Sequence, residues 1–347
     1  MKELLFRCLD TIATGTSPLG KSKTGKEICN TNSFCSQILP KTVKLVRLRD
    51  LGIHEDYQNT LNFDFEKEKT EKYKDVLLTD RSGLLICRRK DDDLGIYPLC
   101  VYEEDNTVFN WNRPIPKDIN LFYLLREPDE GFGEGFCYLK ESETFRKKFK
   151  AIFTHNKNLL DLNYDNVYFY PWGTTLLDNE DQFKIYNKTK LASFHYSYKT
   201  WWEGHAFRTN IGNFLKKQNL SNIDIEGPLE YVDYVDKIDT VKDYHYSIEI
   251  ENVFEDLFFS DKIIDCFLTG TIPIYKGCKQ ISKFFNTDGI IFFDNEAELL
   301  DILKNLTPEQ YKSKEKAIIE NFEKAKEYIH PEDYIFKNYK HLFENDC

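Results

Sequence analysis

Residues 244–277, YHYSIEIENVFEDLFFSDKIIDCFLTGTIPIYKG, leave little freedom in what they can fold into. Tyr246, Ile248 and Ile250 alternate with polar residues at the period of a β-strand. Ser260 then stands as a helix N-cap, and Ile263, Ile264, Phe267 and Leu268 form one apolar helical face. Gly270 falls just past the helix, where a left-handed residue closes it. TIPIYKG resumes as a strand. Compact strands alternating with helices imply a parallel sheet in an α/β domain.

The alternation recurs along the chain. KLASFHYS, NIDIEG and GIIFFD read as further strands, HAFRTNIGNFLKKQN as a helix with Phe207, Ile211, Phe214 and Leu215 on one side, and AELLDILKNL as another helix. Upstream, SGLLICRR, INLFYLL, FKAIFTHN and NVYFYPWG are apolar runs of strand length, with a short Leu-rich segment, KNLLDL, among them. The expectation is two Rossmann-like α/β units facing a cleft. Residues 76–183 form one, 184–325 the other, and 326–347 a helical tail. Residues 1–75 are polar and hard to assign, and are placed with the first unit. In such sheets ligands sit outside the carboxyl ends of the strands.

Composition narrows the ligand. The net charge of −11, from 47 basic and 58 acidic side chains, argues against nucleic acid as a partner. An anionic ligand must then be held by a few local cations. Nine cysteines without a C-x-x-C fit reduced thiols rather than disulfides or zinc. No apolar run reaches membrane-spanning length, and MKELLFRCLDTIATG has no convincing signal-peptide core. The reading is a soluble, cytoplasmic protein.

Several motifs can be weighed and set aside. GTSPLGKS (15–22) fits the phosphate-cradle pattern, yet it lacks an apolar strand before it and an amphipathic helix after it. Asp91 and Asp93 form a D-x-D of the kind that holds a divalent ion against a nucleotide diphosphate, but a solvated acidic turn balanced by Arg88, Arg89 and Lys90 explains it as well. His205 and His245 lack metal-ligand spacing, and no G-x-S-x-G elbow is present. By contrast, Glu251 and Asn252 end a strand while Ser260, Asp261 and Lys262 open a helix. The positive end of that helix and the Lys262 cation suit a phosphate, and Asp261 suits sugar hydroxyls. Each residue alone reads as a cap or a surface charge; together they outline a sugar-nucleotide pocket.

The segment ENVFEDLFFSDKIIDCFLTGTIPIYKG resembles the donor-binding signature of the α1,3-fucosyltransferase family. That pattern runs Phe-Glu-Asn-Ser/Thr, then Tyr-x-Thr-Glu-Lys, then a Val/Ile-Pro-Val/Ile strand and Gly. Glu251 and Asn252 match its Glu-Asn, Asp261 and Lys262 its Glu-Lys, and Gly270 to Gly277 its closing strand. ASFHYSYKTWWEGHAFRTNIGNFL resembles the family's first donor-domain strand and helix, with Arg208 at the position of its diphosphate arginine. INLFYLLREPDE resembles the strand that ends in the family's catalytic glutamate. Glu127 is the nearest equivalent, but it abuts Pro128 directly, so Asp129 and Glu130 compete with it. Phe-Glu-Asn has become Ile-Glu-Asn, Thr-Glu-Lys has become Ser-Asp-Lys, and FYPWG stands where animal members carry Tyr-Arg-x-Asp-Ser-Asp.

The resemblance implies a GT-B-type inverting transferase moving L-fucose from GDP-fucose to a glycan hydroxyl, most like soluble bacterial and viral members. Glu127 would be the base, and Arg208 and Lys262 would hold the diphosphate, with no metal required. Two rival expectations stand beside it: a metal-dependent transferase using Asp91 and Asp93, and a glycan-binding protein without catalysis.

Overall fold

In the computed structural model, residues 149–229 and 236–343 are described continuously, together with the elements and short stretches of the preceding chain given below. Two parallel sheets organise them. The first runs β10-β9-β8-β5-β1-β4, from β1 (Lys2–Arg7), β4 (Val43–Arg47), β5 (Asp75–Thr79), β8 (Asn120–Leu125), β9 (Ala151–Thr154) and β10 (Val167–Phe169). Every pairing in it is parallel. The second runs β12-β11-β13-β14-β15, from β11 (Lys190–Ser197), β12 (Ile223–Leu229), β13 (Tyr244–Ile250), β14 (Ile272–Lys276) and β15 (Ile291–Phe292), again all parallel.

Two short antiparallel pairs stand apart: β2 (Gly20–Lys21) with β3 (Glu27–Ile28), and β6 (Ile86–Cys87) with β7 (Tyr97–Pro98). Both bear on the sequence reading. Gly20 and Lys21 of the phosphate-cradle match lie in an extended pair, where that motif needs a loop running into a helix. Of SGLLICRR, expected as a strand beside parallel neighbours, the described residues Ile86 and Cys87 pair antiparallel with β7. The unassigned opening instead supplies β1 and β4, with β1 flanked on both sides.

The helices of the described residues are α1 (Glu143–Arg146), α2 (Lys157–Leu160), α3 (Glu203–Leu215), α4 (Lys237–Val241), α5 (Asp261–Thr269), α6 (Glu296–Asn305), α7 (Pro308–Lys312), α8 (Glu315–Ala325) and α9 (Pro331–Asn338). Ile211 and Leu215 of α3, with Leu299 and Leu303 of α6, cover one face of the second sheet through Phe194, Tyr196, Ile248 and Ile250. On the other side α5 buries Ile263, Ile264, Phe267 and Leu268 against Tyr275, Phe285 and Tyr328. Fully burying side chains of this size stabilises by about 1.5–3 kcal/mol each, so the apolar stripe of α5 holds the helix in place. Gly270 ends it in the left-handed region, at φ 71°.

The polar residues of β13 do not face solvent, as they would if the alternation marked a half-exposed strand. Ser247 and Glu249 are buried beneath α4 and α5. Glu249 accepts hydrogen bonds from Ser247 Oγ (2.9 Å) and Lys237 Nζ (3.2 Å). Burial acts to discharge Lys237, but Glu249, Cys266, Asp265 and Asp261 together outweigh it and hold the ammonium charged.

Candidate functional site

The strand order locates the place to look. The chain leaves β11 through α3 to β12 on one side, and leaves β13 through α5 to β14 on the other. β11 and β13 are neighbours, so the two connections diverge and open a crevice at their carboxyl ends. That is the topological switch point, where open α/β sheets bind ligands.

Arg208, in the second turn of α3, reaches this point from one side. Its Nη2 donates to the carbonyl of Ile250, the last residue of β13, at 2.7 Å, and to Asn252 Oδ1 at 2.8 Å. The side chain is held at 8% exposure. Close approach is what allows it: a Cβ on Gly204 would lie 1.9 Å from the Glu251 carbonyl oxygen, so only glycine lets α3 start this near the strand end.

Glu251 turns inward and is fully buried. Its carboxylate accepts from the Ser260 backbone N–H (2.9 Å) and hydroxyl (2.7 Å), and from Tyr275 OH at 3.3 Å. Lys262 Nζ completes the arrangement, 3.5 Å from Glu251 Oε2 and 3.2 Å from Ser260 Oγ. Ser260 also caps α5, its hydroxyl accepting from the Lys262 N–H. Glu251 thus ties the end of β13 to the start of α5 and fixes where Lys262 stands. Its oxygens are occupied by protein, which suits a positioning role rather than ligand contact.

His205, one helical turn before Arg208 and on the same face, joins the cluster. It stacks on Trp202 with centroids 5.1 Å apart and meets Trp201 edge-on at 6.2 Å. Burial, then the charges of Arg208, Lys262 and Lys199, push its pKa down to about 3, although a hydrogen bond with Asn252 opposes this. The imidazole is therefore neutral at pH 7, and it registers three cations converging on one spot in a protein of net charge −11. A low-dielectric crevice with that excess of positive charge is suited to an anion.

Arg208, Asn252, Glu251, Ser260 and Lys262 therefore lie in two adjoining hydrogen-bonded sets. Asp261 stands apart from them: its charge acts on Asp265 and Lys237, behind α5. Glu127, Asp129, Glu130, Asp91 and Asp93 lie outside the described residues. Among the described residues no group of histidine, cysteine and carboxylate side chains could hold a metal ion, and no helix is long and apolar enough to cross a membrane. Sequence reasoning missed the role of His205, treating it only as a potential metal ligand. The available signal was its spacing of three from Arg208.

Fold and site together define a protein with two parallel α/β sheets and a cluster of Arg208, Asn252, Glu251, Ser260 and Lys262 at the switch point of the second. No family model matches the chain. Over 140 residues, 36% of its length, it is 29% identical to a protein of Acanthamoeba polyphaga mimivirus that carries the provisional name fucosyltransferase; the match spans 23% of that protein. Among solved structures, an α1,3-fucosyltransferase with GDP-fucose aligns at 17% identity and TM-score 0.43, over 67% of this chain and 77% of that one. An α1,3-fucosyltransferase structure without a named ligand aligns at 13% identity and TM-score 0.47, over 100% and 90%. T4 phage BGT with UDP and Mn2+ aligns at 9% identity and TM-score 0.47, over 99% and 100%.

Proposed function

We propose that the chain is an inverting glycosyltransferase that takes L-fucose from GDP-fucose and passes it to a hydroxyl of a glycan acceptor. The observation that carries this reading is the placement of Arg208 on the end of β13 and of Lys262 on Glu251 beside it, with the imidazole of His205 held neutral by burial and by their charges. The likeness to the viral fucosyltransferase supports the choice of sugar.

In the reaction the acceptor oxygen attacks the anomeric carbon while the bond from that carbon to the diphosphate oxygen breaks. Glu127, two residues beyond the end of β8, takes the acceptor's proton. The negative charge left on the diphosphate is met by Arg208 and Lys262, which are positioned before the reaction begins and so need little reorganisation. Glu251 and Ser260 supply that positioning and Asn252 steadies Arg208, while Asp261, which acts on Asp265 and Lys237, has no part in this step.

Calorimetric titration with GDP, UDP and dTDP, followed by turnover of their sugars, tests the reading. Wild-type protein should prefer GDP, and Arg208→Ala and Lys262→Ala should each weaken it by about 3 kcal/mol, roughly 100-fold. A wild-type protein that binds no nucleoside diphosphate and turns over no sugar nucleotide would instead be a glycan-binding protein without catalysis.

A further inference from the structure

Trp201 is 65% exposed, the most solvent-open of the large apolar side chains among the described residues. Its ring is nonetheless held, by the edge-on contact with His205 and by Lys199 Nζ at 5.2 Å from the ring centroid. All three exposed aromatic side chains among the described residues, Tyr198, Trp201 and Phe292, stand at the carboxyl edge of the second sheet. Beneath Trp201 and Trp202, His205 is only 4% exposed, and its Nδ1 is buried with no hydrogen-bond partner.

We infer that Trp201 is a stacking platform for a pyranose ring of the glycan acceptor, set at the mouth of the crevice whose inner end grips the diphosphate. The inference rests on the reading of Arg208 and Lys262 given above, and adds a specificity-determining residue to it. Three observations select this occupant. A nucleotide base belongs in a pocket that buries most of it, whereas the Trp201 ring lies open. A sugar polymer keeps most of its hydroxyls in water and offers one carbon-lined face, which an exposed indole can cover. The platform is also tied to the anion grip: His205 contacts both tryptophans and hydrogen-bonds Asn252, which holds Arg208.

The test is a titration of the full-length protein with lactose, maltotriose and chitotriose, followed by intrinsic fluorescence, with and without GDP. At least one of these probes should quench or shift the emission of wild-type protein. Trp201→Ala should weaken that binding by about tenfold or more, Trp201→Phe should retain it, and both variants should bind GDP as wild type does. If no probe binds wild-type protein, if Trp201→Ala binds them equally well, or if it loses GDP instead, the inference is overturned. Failure of wild-type protein to bind GDP in the same titrations would count against the nucleotide reading alone, because the saccharide response is scored separately.

Discussion

His205 shows how one side chain can report the charge around it while matching no motif. A histidine free in water titrates near 6.5, and here burial and three neighbouring cations bring it down to about 3. The unfolded chain therefore binds a proton between those values that the folded chain does not. By linkage, the contribution of this residue is fully present above about pH 6.5 and is lost as pH falls through that window towards 3. Acidification from pH 7 to 4 should lower the thermal midpoint of wild-type protein more than that of His205→Gln, and parallel midpoint curves would show that His205 does not titrate as argued. A bound diphosphate supplies the opposite charge, so GDP should shrink the difference. None of this was legible in the sequence, where His205 had only its spacing from Arg208. Of the cations that act on it, Arg208 shares its helix and Lys199 lies just ahead of it, but Lys262 belongs to α5 and reaches it only through folding.

At the scale of elements, the sequence was most informative where the chain uses local chemistry to start and stop structure. The start of α5 at Ser260 and its end at Gly270 were both readable, because a capping hydroxyl and a left-handed glycine act within a few residues of themselves. Ser260→Ala should cost about 1 kcal/mol for the cap, and more than a simple cap, because the same hydroxyl donates to the buried Glu251 carboxylate. Urea denaturation measures it. A loss no larger than that at an ordinary exposed N-cap, such as Asn295 of α6, would mean that Glu251 does not depend on Ser260. Two features escaped the reading: the strands of the opening, and the burial of polar side chains in β13, which was itself expected as a strand. β1 and β4 are short parallel strands whose partner, in each case, lies tens of residues away in sequence, so nothing local announces them. In β13, Ser247 and Glu249 mimic a solvent face, although inside the protein Lys237 from α4 pairs with Glu249, which also accepts from the Ser247 hydroxyl. Periodicity reports polarity, and a buried ion pair defeats it.

For the whole molecule, the relevant fact is that the two sheets do not behave as beads on a string. His155, immediately after β9, packs its ring 5.1 Å from Phe258, just ahead of the cap of α5. Thr175 donates to the buried Asp265 of α5, and Gly173 N–H to the Phe259 carbonyl at 3.1 Å. The chain then returns after α8: Ile335 of α9, with Leu342 and Phe343, closes the core of the first sheet, and Phe343 stacks on Phe122 with centroids 4.4 Å apart. Tyr339 OH fastens the same segment to the Phe169 carbonyl at 2.6 Å. A segment expected only as a helical tail is therefore part of the first unit's core, and residues far beyond the donor crevice should govern the stability of the unit that carries Glu127. Phe343→Ala removes a buried ring and should cost about 3–5 kcal/mol, measurable as a lower urea midpoint. GDP affinity at low denaturant should stay at the wild-type value, because Phe343 packs in the core of the first sheet while the Arg208–Lys262 cluster belongs to the second. Turnover should fall as the first unit loosens, since the proposed transfer needs Glu127 held against a donor bound at the second sheet. If GDP binding and turnover fell together in this variant, the division of labour between the two sheets would have to be abandoned.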